Sequence, residues 1–281
     1  MRIGCHLSIA KGLATSLELA REVKANCFQF FTRNPRGGAA RRIEASEIAS
    51  WEGLRAQADI FPIVGHLPYT INLAAGKDDT YEFARQTVAE DLARMSAIGA
   101  EYLVVHPGSR GTQSVGEGVR RIVRALDDIL ARHKPTSETK LLLETMSGSG
   151  SEIGSFAEIG LILSELGYPE ALGVCIDTCH LFAMGYDWRE AREVGRMLED
   201  AERHVGLARI KCVHVNDSKF GPGSHKDRHE LVGEGQIGQA GFVNILGHER
   251  IKRLPMLLET PVADYSGYAQ EIAKLRLWLT E

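Results

Sequence analysis

No apolar run in this 281-residue sequence is long enough to cross a bilayer. A signal-peptide pattern is missing as well, since Met1-Arg2 leads straight into a strand-like segment. Cysteine is sparse. The five present (Cys5, Cys27, Cys175, Cys179 and Cys212) all lie in or beside strand-like runs. That placement reads as buried free thiols rather than a disulfide framework or a thiolate metal site, and the expected compartment is the reducing cytosol. An excess of positive charge is also lacking, because the net charge is -4. This argues against a general nucleic-acid coat, which is usually basic, but leaves room for a local basic surface. There is no low-complexity segment and no linker, so residues 1–281 read as one domain.

What the chain does have is alternation. Strand-like apolar runs are expected at 2–8, 27–33, 62–66, 102–106, 140–145, 173–177, 210–216 and 255–260. Amphipathic helical patterns fall between them, at 12–23, 44–58, 80–98, 116–132, 155–166, 188–204, 239–246 and 266–279. Eight such alternations without a composition break predict a single (β/α)8 barrel, an α/β fold whose site lies at the C-terminal mouth of the strands. The longest irregular stretch, 217–238, is rich in glycine, histidine and charge. A loop of that length in a compact domain is usually functional.

The strand ends carry the chemistry. The third ends in His66, the fourth in His106-Pro107-Gly108 and the fifth in Glu144-Thr145. The sixth delivers Asp177 and, three residues on, His180. The seventh carries His214, the eighth ends in Glu259-Thr260-Pro261, and the loop after the seventh adds Asp227-Arg228-His229. Taken singly, a strand-end histidine is often a hydrogen-bonded core residue, and Asp177 reads equally well as a helix N-cap. Together they are five histidines and four carboxylates that a barrel would gather at one mouth. Burying so many carboxylates costs several kcal/mol each unless cations pair with them. Nine ligands exceed what one tetrahedral zinc takes, and a His/carboxylate mixture suits two or three Zn²⁺ or Mn²⁺ ions.

These residues stand in motifs that resemble the endonuclease IV family of apurinic/apyrimidinic (AP) endonucleases. The motifs are His106-Pro107-Gly108, Leu143-Glu144-Thr145 with Gly148-x-Gly150, and Gly173-Val174-Cys175-Ile176-Asp177-Thr178-Cys179-His180. They continue through His214-x-Asn216-Asp217-Ser218-Lys219, Asp227-Arg228-His229, Gly233-Glu234-Gly235-x-Ile237-Gly238 and Glu259-Thr260-Pro261. The resemblance covers nearly the whole chain, in order. It implies a trinuclear zinc site, with Mn²⁺ or Fe²⁺ able to replace part of the zinc. His66, His106 and a bridging Glu144 would hold the first ion; Glu144, Asp177, His214 and Glu259 the second; His180, Asp227 and His229 the third. His6 is expected to support the site rather than ligate.

The resemblance further implies the reaction. A metal-bound hydroxide, oriented by the catalytic Glu144, would cut the phosphodiester 5′ to an abasic site in double-stranded DNA. The products would be a 3′-hydroxyl and a 5′-deoxyribose phosphate, and blocked 3′ ends would be trimmed as a second activity. Such an enzyme would associate with the nucleoid when acting, with no membrane and no obligatory protein partner. The family bends DNA and flips the abasic nucleotide out. Arg36 and Tyr69 align with residues that fill the gap, while Asn216, Lys219 and the turn at 233–238 are candidate phosphate contacts. Thr70 stands where some members have a larger apolar residue, and Gly37-Gly38 follows Arg36, so a thinner wedge is expected on this side. The alternatives are a sugar isomerase or epimerase of the xylose-isomerase-like barrels, with fewer metals, and a non-enzymatic metal- or damage-binding barrel.

Overall fold

The structure of the protein, a computed structural model, describes residues 1–35, 40–132 and 138–280. Eight strands form a closed barrel: Ile3–His6, Phe28–Phe31, Ile63–His66, Tyr102–Val105, Lys140–Glu144, Leu172–Asp177, Ile210–Val215 and Met256–Leu258. Each pairs in parallel with its neighbours in chain order, and the first closes on the eighth. All eight coincide with the expected strands, seven of them trimmed at their ends and the sixth starting one residue earlier. Among the described residues, no helix is long and apolar enough to cross a membrane.

The strands are apolar on both faces because each face is covered. Outward residues such as Phe28, Phe30, Leu103 and Leu141 pack into one large core with the helices. Full burial of each such side chain is worth roughly 1.5–3 kcal/mol. Inward, a smaller cluster fills the waist: Cys27, Val64, Val104, Leu142, Cys175, Cys212 and Leu257. Side chains alternate along a strand with period two. One step of that period beyond the waist residues lie Gln29, His66, His106, Glu144, Asp177, His214 and Glu259. An apolar plug therefore floors a polar layer at the mouth, as the stacked side-chain layers of such barrels require. All five cysteines are buried free thiols, as expected. On the first strand the waist position is Gly4, where a Cβ would lie 1.8 Å from the Cys27 carbonyl oxygen, so a substituted strand could not stay in place.

Three features lie outside the expected elements, though the N-cap reading of Asp177 anticipated the first. A short helix, Thr178–Ala183, follows the sixth strand directly, with Asp177 as its N-cap accepting from the His180 amide at 2.8 Å. A second short helix, Glu249–Lys252, precedes the eighth strand. Two small antiparallel ribbons also decorate the mouth. One pairs Gly108–Ser109 with Glu152–Ile153. The other pairs Asp217–Ser218 with His229–Glu230, inside the stretch expected to be irregular.

Candidate metal centre

Glu144 stands at the middle of the mouth, almost fully buried, and its two oxygens face different partners. Oε2 lies 3.1 Å from His66 Nε2 and 3.2 Å from His106 Nε2. Oε1 lies 3.0 Å from His214 Nδ1, which is itself 3.2 Å from Glu259 Oε2. Ligand atoms of Glu144, Asp177, His214 and Glu259 all lie within 4.8 Å of one another, as do those of His66, Glu144 and His214. Nearer the rim, His180 Nε2 is 3.3 Å from Asp227 Oδ2 and His229 Nε2 is 3.1 Å from Asp227 Oδ1. All nine residues singled out in the sequence are thus gathered at one mouth, and all but Asp177 and His214 line a cavity of about 340 Å³.

The imidazoles are held by their other nitrogens. His66 Nδ1 bonds the Leu67 carbonyl at 2.6 Å, and His180 Nδ1 bonds the Thr145 carbonyl at 2.8 Å. His214 Nε2 faces Gln29 Oε1 at 2.9 Å. Supports of this kind leave the remaining nitrogen to point at the carboxylates, as in metal-ligating histidines.

Without cations, protons must do the pairing. Burial opposes charge on His214, yet Glu259 and Glu144 raise it to about 10. Burial likewise opposes His229, and Asp227 and Asp177 raise it to about 9. His180 is pushed well above its ordinary value against its own burial, by Asp177 and Asp227. Burial works against ionisation of Glu144, but His214 and His106 hold its carboxyl well below the usual range. Glu259 and Asp227 are held below it too, against burial, mainly by His214 and by His180 respectively.

The residues fit metal ions better than protons. His180 Nε2 and His229 Nε2 are buried and lie at contact distance from Asp227, yet neither forms a hydrogen bond. Ligands at ~2.0–2.1 Å from a tetrahedral zinc sit roughly 3.3 Å from one another, close to the separations seen here. Hard oxygens mixed with imidazole suit Zn²⁺ or Mn²⁺. Cys179 also brings its sulfur within 4.8 Å of ligand atoms of Asp177 and His229, although the sequence argued against a thiolate metal site. Burial, followed by Asp177, pushes that thiol up to about 12, so it stays protonated.

Two of the expected phosphate contacts have partners within the protein. Asn216 is fully buried. Its amide donates to Asp177 Oδ2 at 2.6 Å and Glu259 Oε2 at 3.3 Å, and its carbonyl accepts from the Glu259 amide at 3.0 Å. It aligns two carboxylates. The turn at 233–238 is likewise engaged. Buried Asp217 accepts from the backbone amides of Gly233 (3.0 Å), Gly235 (3.0 Å), Ile237 (2.9 Å) and Gly238 (3.2 Å). Gly235 is required there, because a Cβ would lie 2.4 Å from Asp217 Oδ1.

Tyr69 stands on the rim of the same cavity, 58% exposed, its ring edge-on to Phe31. Lys219 is exposed, with Nζ 3.8 Å from Glu230 Oε2. Arg36 lies outside the described residues. His6 lies beside the site, with Nδ1 3.8 Å from Glu259 Oε1, and burial lowers its pKa. The sequence reading missed Gln29, fully buried between His214 and Glu259. A signal was present: it is a lone amide in Phe28-Gln29-Phe30-Phe31, in period-two step with the ligands of the other strands.

Comparison with known proteins agrees with this geometry. The family described as xylose isomerase-like TIM barrel matches residues 17–281. "Probable endonuclease 4" of Moorella thermoacetica is 43% identical over 277 residues, covering 98% of each chain. The crystal structure of endonuclease IV from Thermus thermophilus superposes with a TM-score of 0.86 at 33% identity, over 100% of this chain and 99% of that one. A D-tagatose 3-epimerase-like protein, at 18% identity and a TM-score of 0.74, covering 100% of this chain and 98% of its own, shares the fold alone. Identity of this extent over the full length, together with the barrel and its strand-end residues, shows that the chain belongs to the endonuclease IV family.

Proposed function

We propose that this protein is a metal-dependent DNA-repair endonuclease that cuts the phosphodiester 5′ to an abasic site, leaving a 3′-hydroxyl and a 5′-deoxyribose phosphate. The observation that carries the proposal is Glu144, whose two oxygens face two different sets of ligands in a buried mouth. His66, His106 and Glu144 would hold one zinc, Glu144, Asp177, His214 and Glu259 a second, and His180, Asp227 and His229 a third. Mn²⁺ or Fe²⁺ could replace part of the zinc. When bound, such ions supply Lewis acidity at the phosphoryl oxygens and acidify water near neutral pH.

The chain's own residues supply position. Glu144 orients the attacking water between the two deep ligand sets, while Asn216 and Gln29 keep Asp177, Glu259 and His214 aimed inward. Tyr69, with Arg36 as the resemblance implies, fills the gap left by an extruded nucleotide and offsets part of the few kcal/mol that flipping costs. Lys219 meets a phosphate, which makes binding salt-dependent. Blocked 3′ ends reach the same ligands without extrusion, which supports trimming as a second activity. A sugar isomerase or epimerase would leave the exposed Tyr69 ring without a task.

The test is a duplex carrying one synthetic abasic site, incubated with zinc-loaded protein. A single nick 5′ to the site is expected. An intact duplex, or sugar epimerisation in its place, overturns the proposal.

A further inference from the structure

Gln29 sits in the polar layer of the barrel mouth, between two of the proposed ligands. It lies on the second strand, one period-two step beyond Cys27 at the waist, and is fully buried. Its Nε2 is 2.7 Å from Glu259 Oε1 and 3.3 Å from His6 Nδ1, and its Oε1 is 2.9 Å from His214 Nε2.

These contacts fix the orientation of the amide. An ionised carboxylate only accepts, so the group facing Glu259 must be the NH₂. The carbonyl oxygen is then left facing His214 Nε2, and an amide oxygen can only accept. His214 must therefore donate through Nε2–H. Whatever the state of the other nitrogen, the proton that a cation displaces is on Nδ1. That nitrogen points at Glu144 Oε1 (3.0 Å) and Glu259 Oε2 (3.2 Å). Turning the amide over would set its oxygen against the Glu259 carboxylate and its NH₂ against His214 Nε2. His214 would then carry its proton on Nδ1, where an ion should bind.

We propose that Gln29 is a positioning residue: it holds His214 in the tautomer that offers Nδ1 to a cation, anchors Glu259 beside it, and so sets the affinity of the ion held by Glu144, Asp177, His214 and Glu259. The inference rests on the metal-centre reading above. A neutral amide suits the place. It supplies one donor and one acceptor without adding a further charge to a layer that already contains three carboxylates, Glu144, Asp177 and Glu259. Partners that orient a ligating histidine from behind typically change metal affinity 10–100-fold when lost.

Two measurements test it. In the first, zinc is titrated into chelator-stripped wild type and Gln29→Met against a competing chelator. Methionine keeps the volume and removes all three polar contacts of the side chain. One zinc equivalent is expected to weaken about 10–100-fold in the variant, with the others unchanged. Equal affinities at every equivalent overturn the inference and leave the metal reading standing; a wild type that takes up no zinc overturns both. The second needs no substitution and decides the matter should Gln29→Met not fold. In the long-range proton–nitrogen NMR spectrum of zinc-loaded wild type, His214 is expected to be protonated at Nε2. Protonation at Nδ1 overturns the inference.

Discussion

Glu144, His66 and His214 sit on barrel strands, buried and framed by a hydrogen-bonded ladder on each side. Asp227 and His229 sit on the loop after the seventh strand, with side chains 38% and 21% exposed. The two sets use the same chemistry but are held in different ways. A strand fixes the deep ligands through the register of the whole sheet: Asp177, for example, is paired directly with His214 across the sixth and seventh strands. The outer ligands depend on a two-residue ribbon and on Asp217, whose carboxylate gathers four amides of the 233–238 turn. His180 belongs to the outer set by contact, yet is held from below by Asp177 and Thr145. The difference implies rigidity at depth and adjustability at the rim, where the proposed DNA enters.

The largest effect expected is at depth. Glu144→Gln keeps the shape but removes the charge shared by two ligand sets. Single-turnover nicking of abasic duplex should fall by at least ~10²-fold, the size expected for losing a preorganised electrostatic element, with DNA binding largely kept. Near-normal turnover would remove Glu144 from the centre of the site.

At the rim, Tyr69→Ala should weaken binding to abasic duplex by roughly 1–3 kcal/mol, the usual worth of a base–aromatic stack, with metal content unchanged. The loss should shrink on a nick with a blocked 3′ end, which needs no extrusion. Equal losses on both substrates would reduce Tyr69 to a loop support.

Asp217→Asn sharpens the comparison directly. It replaces a buried anionic acceptor with a neutral amide, weakening the bonds that hold the turn, each worth about 1.5–3 kcal/mol when charge-assisted. Chelator titration should show the outer ion leaving first, by about 10-fold, while the deep ions stay. Parallel loss of all ions would mean that depth confers no advantage.

The smallest effect concerns protons. In stripped protein, His214 at about 10 and His229 at about 9 gain charge partners on folding. A histidine with a raised folded pKa stabilises fully below its unfolded value of about 6.5, and that stability is lost as pH rises through the folded value. The depressed carboxylates act in the opposite sense, stabilising above about 4.3 and failing in acid. Stripped protein should therefore melt highest near pH 5–6.5 and progressively lower toward pH 9–10, and zinc added at pH 7 should release protons. A melting temperature that stays level from pH 6 to 10 would contradict the pairing.

Much of this was legible in the sequence, for physical reasons. Doubly covered parallel strands read as continuous apolar runs, so all eight were visible, and polar residues ending such runs stood out. The helix Thr178–Ala183 showed only in its possible N-cap, Asp177, because every residue in it is buried and no amphipathic period survives. The ribbons are two residues long, too short for any period. The contacts of Asn216 were not visible because its partners, Asp177 and Glu259, come from other strands, and only the closed barrel brings them together. The glycines at 233–238 looked like a phosphate cradle, and their amides do bind an anion, but it is the chain's own Asp217.

Elemental analysis of protein purified under metal-replete conditions tests the central claim most directly. The account predicts about three transition-metal equivalents, mostly zinc, one for each ligand set. One equivalent or none would contradict it.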